Sequence, residues 1–340
     1  MTEQAVRVAA LAAALLPPLI LMTYFCVAAR VRIDDERIWQ AFGFGAAVAF
    51  PVLMLARLYE WLVGYGAGFY ELAFAQAYLG ASIPEEIGKL AALLCLFGRE
   101  LRRLSPARLF VLAIAVSCGF AALENIFYVL LSGDWGSVAI LRSVSAVPGH
   151  AFVGALMGYC IARAVAGPDG WIWWLPALAL PILLHGAYNT PLFALNDAAA
   201  NPSDAPPEMI GAFVWIFALV VVSEGALAHL CLRSVLRPRT VGVAPTRAAP
   251  EPQSILRRWA RATESPLLWT GLAVACVAAA VALVSGIIPL GSADNPLDDR
   301  AQSLLMRGYA AFAILHAVAF AGLAITLNRR NAHGRAGIVA

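Results

Sequence analysis

The feature that most constrains this chain is a series of apolar runs, each about as long as a membrane-spanning helix, that recurs from one end to the other. A helix needs about 20 residues to cross a hydrocarbon core of about 30 Å. Lipid offers no hydrogen-bond partners, so a crossing segment must satisfy its own backbone groups, as a helix does. Hydrophobic residues make up 61% of the chain and charged residues 13%, whereas a soluble domain carries about 25% charged residues. The predicted fold class is therefore all-α, a polytopic transmembrane helix bundle of about nine helices.

The arginines between the apolar runs predict how the chain is oriented. Cytoplasmic loops collect arginine and lysine, and residues 99–108 carry four arginines. The loop at residues 196–208 has acids and prolines but no basic residue, so we place it outside. This integral membrane protein is thus predicted to have its N-terminus outside and its C-terminus in the cytoplasm. The predicted helices cover residues 6–29, 38–56, 70–96, 109–131, 147–164, 171–195, 209–232, 267–290 and 304–327.

The same pattern divides the chain into five parts. These are N-terminal helices with an interfacial connection (1–69), a core of four helices that carry buried polar residues (70–195), an external loop with the seventh helix (196–232), a basic cytoplasmic linker (233–266), and a C-terminal hairpin with a basic tail (267–340). The linker holds seven arginines. We interpret them as an orientation signal beside the lipid bilayer and predict no nucleic-acid partner.

Three ionisable residues stand close together in the third predicted helix, namely Glu85, Glu86 and Lys89. An ionisable residue at the centre of a membrane helix costs about 2.5 to 3.5 kcal/mol, so such residues need partners or a function. Glu85 and Lys89 are one helical turn apart, and we expect them to pair. Glu86 is rotated by about 100° from Glu85 and is predicted to face another group.

Polar residues on the next three predicted helices lie at a similar depth. They are Glu124 and Asn125 on the fourth helix, His150 at the start of the fifth, and His185 with Asn189 on the sixth. At a rise of about 1.5 Å per residue, all of them and the glutamate pair fall in the outer half of the membrane. We therefore predict one site between the third and sixth helices. Three further polar residues, Glu224, His229 and His316, lie at other depths, and we interpret them as structural.

These side chains suit the hydrolysis of an amide by an activated water molecule, which needs a base and a group that stabilises the oxyanion. In one version Glu85 or Glu86 is the base, and three residues bind the carbonyl group and the developing charge. These are His150, His185 and Asn189. In the other version a catalytic zinc is bound by Glu124, His150 and His185, and the glutamate pair takes the proton. The sequence does not separate the two versions.

A membrane transporter is the main alternative, because the same acids, amine and histidines can bind a proton, a cation or a substrate. A transporter of this kind commonly contains two related broken helices. Only the third predicted helix has such an interruption, at Pro84 and Gly88. We therefore favour the hydrolase.

Four short motifs connect the chain to a known family. They are EExxK (Glu85, Glu86, Lys89), FxxxEN (Phe120, Glu124, Asn125), HxxxGxxxG (His150, Gly154, Gly158) and HxxxN (His185, Asn189), in this order on successive predicted helices. Together they resemble the PrsW family of intramembrane proteases and, more distantly, the CAAX-prenyl endopeptidase and Abi group. The resemblance covers about residues 70–195.

The resemblance implies an intramembrane endopeptidase of the bacterial plasma membrane whose partner is a membrane-anchored protein substrate. The family prototype makes the first cut in a membrane-anchored anti-sigma factor. Members have been classed both as metalloproteases and as glutamic proteases, so the resemblance implies either zinc or no cofactor. The residues that it marks as catalytic are Glu85, Glu86, Lys89, Glu124, Asn125, His150, His185 and Asn189.

Overall fold

The computed structural model describes residues 2–63, 69–200, 207–236, 265–284 and 316–329, together with residues 310, 314 and 331. All regular structure in these residues is helical, as predicted, and no strand occurs among them. The α-helices are α1 (Glu3–Ala28), α2 (Glu36–Val63), α3 (Phe69–Ala75), α4 (Ile83–Phe97), α5 (Pro106–Leu131), α6 (Trp135–Val144), α7 (Ala146–Ala164), α8 (Trp174–Ala200), α9 (Pro207–Leu236) and α10 (Pro266–Val284), and residues 316–329 are also helical.

Six helical segments of the described chain are long and apolar enough to cross a membrane. They are Glu3–Ala28, Glu36–Ala56, Pro106–Leu131, Trp135–Ala164, Asp169–Leu195 and Trp215–Leu236. These segments confirm the predicted helices one, two, four, five, six and seven. The third predicted helix is not among them because it carries too many ionisable residues, three of which lie in α4, its longest α-helical piece of 15 residues.

Several predicted segments fall wholly or partly outside the described residues. Outside the described residues lie residues 64–68 of the interfacial connection, 201–206 of the external loop, 237–264 of the basic linker and 285–309 of the C-terminal hairpin. The eighth predicted helix begins at Pro266 as α10. The division of the chain into five parts therefore stays a prediction.

One part of the sequence prediction needs correction between the fourth and fifth helices. Residues 135–146 were expected to be non-helical, but α6 occupies most of them. The Asp134 side chain caps this helix by accepting a hydrogen bond from the Ser137 backbone N–H at 3.4 Å. A helix of only ten residues leaves no apolar run of membrane-spanning length, and for this reason the hydropathy pattern did not reveal it.

The centre of the bundle is formed by α5 and α7. Both helices are buried on almost all sides, whereas α1, α2, α8 and α9 bury about one face each. Close approach between helices depends on glycines. An added Cβ at Gly119 of α5 would overlap the backbone carbonyl of Phe42 on α2, and one at Gly154 of α7 would overlap Ser117 on α5. The two glycines of the HxxxGxxxG motif, Gly154 and Gly158, thus lie at the contact of α7 with α5.

A π-helix, Gln76–Ser82, connects α3 to α4 just before the glutamate pair. Proline has no N–H, so Pro84 cannot donate to the carbonyl four residues earlier, and the wider turn precedes it. The Tyr78 hydroxyl donates to the Leu183 carbonyl of α8 at 3.1 Å. The Tyr78 ring fills the space that a side chain at Gly186 would need. The π-helix therefore fixes the start of α4 against the part of α8 that carries His185.

The close crossing of α2 and α5 yields a stability prediction. We expect Gly119→Ala to destabilise the folded protein by about 1 to 3 kcal/mol, because the new methyl group meets backbone rather than a movable side chain. Gly43 of α2 is the matched control, since nothing lies within 4 Å of an added Cβ there. Thermal unfolding in detergent measures both variants. An unfolding temperature for Gly119→Ala equal to that of Gly43→Ala would show that the crossing is not tight.

Candidate functional site

Lys89 lies at the centre of a fully buried polar cluster. Its Nζ donates to Glu86 Oε1 at 2.6 Å and to His150 Nδ1 at 2.9 Å, and it lies 3.6 Å from Glu85 Oε2. The Phe120 ring covers the ammonium group from 4.6 Å. The expected ion pair of Lys89 with Glu85 is present, and Glu86 is a second and closer partner. From its position on α4, the ammonium reaches both Glu86 and the facing helix α7.

The two histidines join the cluster from α7 and α8. His185 Nδ1 lies 2.8 Å from Glu86 Oε1, and His150 Nε2 lies 2.8 Å from Glu124 Oε2. A carboxylate accepts hydrogen bonds, so each of these ring nitrogens carries the proton and donates. The opposite nitrogens, His185 Nε2 and His150 Nδ1, then keep lone pairs. They lie 3.8 Å and 3.9 Å from Glu85 Oε2.

Arg142 of α6 completes the outer side of the cluster. Its guanidinium donates to Glu124 Oε2 at 2.7 Å and to Asn125 Oδ1 at 2.6 Å. Asn125 Nδ2 in turn donates to the Ala14 carbonyl of α1 at 3.2 Å. Asn125 was predicted as a catalytic residue, and the structure places its amide between Arg142 and α1 rather than among the histidines.

Sequence reasoning missed Arg142, although one signal pointed to it. The arginine follows the fourth predicted helix, in a connection that the orientation places outside, where the positive-inside rule disfavours arginine. An arginine in such a place needs a partner. Because α6 was not predicted, nothing connected it to Glu124.

Four side chains of the cluster could hold a metal ion. Glu85, Glu86, His150 and His185 each offer one donor atom, and these atoms lie within 4.8 Å of one another. Two carboxylate oxygens, Glu85 Oε2 and Glu86 Oε2, are buried without a hydrogen-bond partner. Imidazole nitrogens with carboxylate oxygens form a typical zinc donor set.

This group contains two of the three predicted zinc ligands, His150 and His185, but it lacks Glu124 and contains Glu85 and Glu86 instead. The prediction used Glu124 with His150 and His185, but Glu124 Oε2 is already bonded to Arg142 and to His150 Nε2. Glu85 takes its place beside the histidine lone pairs. Glu124 and Glu86 then occupy the outer position in which a carboxylate orients a metal-binding histidine.

A cavity of about 440 Å³ opens beside the cluster, within the range of about 300 to 1,000 Å³ that is usual for ligand pockets. Glu85, His150 and His185 line it, together with Asn189 one turn after His185. His185 and Asn189 were predicted to bind the same carbonyl group, and both side chains line this cavity. Glu224 of α9 also lines the cavity, although its depth along the sequence had suggested a structural residue elsewhere.

The buried ion pair of Glu124 with Arg142 can be tested by its effect on stability. We expect Arg142→Leu to destabilise the protein by about 3 to 5 kcal/mol, because Glu124 would keep a buried charge without its cation. The double variant Arg142→Leu/Glu124→Leu is expected to recover much of this loss, as measured by unfolding in detergent. Equal destabilisation by the single and double variants would contradict the pairing.

Comparisons with known proteins agree with the geometry. The family model described as "PrsW family intramembrane metalloprotease" matches residues 36–223. Protease PrsW of Oceanobacillus iheyensis is 29% identical over 210 residues, covering 62% of this chain and 92% of the relative. Protease PrsW of Bacillus subtilis is 28% identical over 194 residues, covering 56% of this chain and 85% of the relative. No solved structure matches.

The family match extends from α2 into α9 and contains every residue of the polar cluster. It covers more than half of the chain, and it confirms the resemblance that the four motifs had indicated. The six membrane-spanning helices agree with an enzyme that works in a lipid bilayer. The chain is thus a membrane-embedded peptidase and belongs to the PrsW family of intramembrane proteases.

Proposed function

We propose that the protein hydrolyses a peptide bond of a membrane-anchored protein near the outer face of a bacterial plasma membrane, using a metal site formed by Glu85, His150 and His185. One observation carries this proposal. Glu85 Oε2 has no hydrogen-bond partner and faces one lone-pair nitrogen of each histidine, at 3.8 Å and 3.9 Å. Two histidines and one glutamate are a common ligand set of catalytic zinc.

The groups that contact the two histidines also fit a zinc site. The other ring nitrogen of each histidine donates to a carboxylate, Glu124 for His150 and Glu86 for His185. Such carboxylates set the histidine tautomer in zinc sites. A metal ion can bind His150 Nδ1 only after the hydrogen bond from Lys89 to this atom is broken. The Lys89 ammonium would then stay bonded to Glu86 Oε1. When bound, zinc acidifies a water molecule and polarises the scissile carbonyl.

The chain's own groups supply the proton transfers. A Glu86 oxygen lies within 4.8 Å of the other donor atoms. We propose that Glu86 Oε2, which has no hydrogen-bond partner, accepts a proton from the water as its oxygen attacks the carbonyl carbon. As the C–N bond breaks, Glu86 returns this proton to the leaving nitrogen. Lys89 holds the carboxylate in place through Oε1.

The location of Asn189 in the cavity wall supports a role toward the substrate carbonyl. It lines the cavity beside His185, and an amide N–H can donate to the charge that develops on the carbonyl oxygen. We propose this role for Asn189, and for Asn125 the separate role of positioning Arg142. Glu124, Asn125 and Arg142 then act through His150 rather than on the substrate.

The proposed orientation and substrate follow from the loops and from the resemblance. The cluster lies near the C-terminal end of α5 and the N-terminal end of α7, which the arginine-rich segment before α5 places toward the outside. A cut there would release the outer part of a membrane-anchored protein. The resemblance names an anti-sigma factor as the first substrate to try.

The assignment of Glu86 as the base makes a prediction about activity. We expect Glu86→Gln to lower the cleavage rate by about 10² to 10⁴, the usual contribution of a catalytic base. His185→Ala should lower it at least as much, because it removes a proposed metal ligand. The assay uses vesicles that contain the protein and a panel of single-span peptides with glycine and proline near the outer end of the helix. Glu100→Gln is the control, because Glu100 forms a half-exposed ion pair with Arg37 away from the cavity. Full cleavage by both variants, or no cleavage by the wild-type protein of any peptide, would overturn the proposal.

Metal content separates the ligands from the base. We expect about one zinc per purified wild-type chain, lost with activity in a chelator and restored by added zinc. Glu85→Gln should lose zinc and activity together, whereas Glu86→Gln should keep zinc and lose activity. Elemental analysis of the three proteins provides the measurement. Full activity in a metal-free protein would instead assign the chain as a glutamic protease with Glu85 or Glu86 as the base.

A further inference from the structure

Glu224 of α9 is a buried acid that the mechanism above does not use. Its side chain is 1% exposed, and neither carboxyl oxygen has a hydrogen-bond partner. It nevertheless lines the same cavity as Glu85, His150 and Asn189. Burying a polar group without a partner costs stability. Glu224 therefore lowers the stability of the folded protein unless a ligand bonds its carboxyl group. Its location in the cavity wall would allow a ligand to do so.

The position of the carboxyl group is defined by the first turn of α7. A Cβ added at Gly149 would lie 3.6 Å from Glu224 Oε2 and 3.9 Å from the Tyr188 ring. Gly149 directly precedes His150, so Glu224 stands next to the backbone that presents this histidine. The missing side chain at residue 149 leaves room beside the carboxyl group, on the side of α7 that borders the cavity.

A substrate helix must expose hydrogen-bond donors when it is cleaved, and a buried carboxyl group such as that of Glu224 can accept from them. Hydrolysis requires access to a peptide bond, and the helix must unwind locally to give that access. Unwinding frees main-chain N–H and C=O groups, which need new partners inside a membrane protein. A carboxyl oxygen is an acceptor that can take up one or two of the freed N–H groups.

We propose that Glu224 binds main-chain N–H groups of the unwound substrate segment next to the scissile bond. Its ligand is thus an extended peptide, recognised through the backbone rather than through a particular side chain. The inference rests on the proposed function, because it assigns a wall of the same cavity to the substrate. It adds α9 to the substrate-binding elements, at a residue just beyond the stretch that the family model matches.

The test compares two replacements of similar size. Glu224→Leu removes both acceptor oxygens, and Glu224→Gln keeps one. In the vesicle assay, with the peptide that wild-type protein cleaves fastest, we expect Glu224→Leu to raise KM by about 10- to 100-fold. We expect a smaller rise for Glu224→Gln. Zinc content should stay unchanged in both variants. Ser223→Ala is the control, because Ser223 is half-buried, donates to the Leu219 carbonyl of its own helix and does not line the cavity.

Thermal unfolding distinguishes substrate binding from a structural role. Because Glu224 has no partner within the described chain, we expect Glu224→Leu to unfold at the wild-type temperature or above it. An unfolding temperature well below that of wild type would overturn the inference, as would a wild-type KM for Glu224→Leu. Equal losses in the Leu and Gln variants would also overturn it, since a charge would then be required rather than an acceptor.

The failure of this inference can be told apart from that of the proposed function. Wild-type protein that cleaves no peptide contradicts the proposed function. Wild-type cleavage with an unaffected Glu224→Leu variant contradicts the role of Glu224 alone. Binding of the uncleaved peptide to Glu86→Gln, with and without Glu224→Leu, measures the same contact without turnover. We expect weaker binding in the double variant, and equal binding would contradict the inference.

Discussion

The structure depends on how it accommodates one buried ammonium group. Lys89 has no contact with solvent, and a bare charge in hydrocarbon would be too costly to keep. Glu86, His150 and Glu85 surround it from α4 and α7. The hydrogen bond between Lys89 and His150 joins these two helices, and the groups that hold Lys89 also belong to the proposed active site. Stability and chemistry therefore rely on the same contacts.

From this ion pair a continuous chain of hydrogen bonds crosses the bundle. It passes through the Ala14 carbonyl, Asn125, Arg142, Glu124, His150, Lys89, Glu86 and His185. The chain connects α1, α5, α6, α7, α4 and α8, so each helix that enters the site is tied to its neighbour. A buried network of this kind lowers the stability of the folded protein if any of its polar groups lacks a partner. Buried carboxylate oxygens of Glu85, Glu86 and Glu224 have no hydrogen-bond partner within the described protein. A bound metal ion or substrate would provide that partner.

Much of the site could be predicted from the sequence because buried charge is rare in a membrane. Glu85, Glu86, Lys89, Glu124 and the two histidines were identified by type and depth alone, and the structure brings all six together. Which glutamate lies closer to Lys89 could not be predicted. Helical spacing allows Lys89 to pair at three or four residues, and the structure contains both ion pairs, with Glu86 the closer partner.

Other parts of the site carried weaker signals. The helix α6 is too short for a hydropathy pattern, so Arg142 remained unconnected to Glu124. Depth along the chain misplaced Glu224, because counting residues from a predicted helix end ignores how α9 packs beside α7 and α8. The π-helix before Pro84 was visible only as an interruption. Each of these features depends on how one helix packs against another. The periodicity of a single sequence carries no information about such packing.

The most direct test of the account is X-ray absorption at the zinc edge of the purified protein in membranes or detergent. The account predicts two imidazole nitrogens at about 2.0 to 2.1 Å and carboxylate or water oxygens at about 2.0 to 2.2 Å, with no sulfur at about 2.3 Å. Replacing His185 by alanine should remove the zinc signal from the purified protein, as expected for the loss of one ligand. Bound zinc with sulfur ligands, or with no imidazole in its first shell, would contradict the metal site at Glu85, His150 and His185.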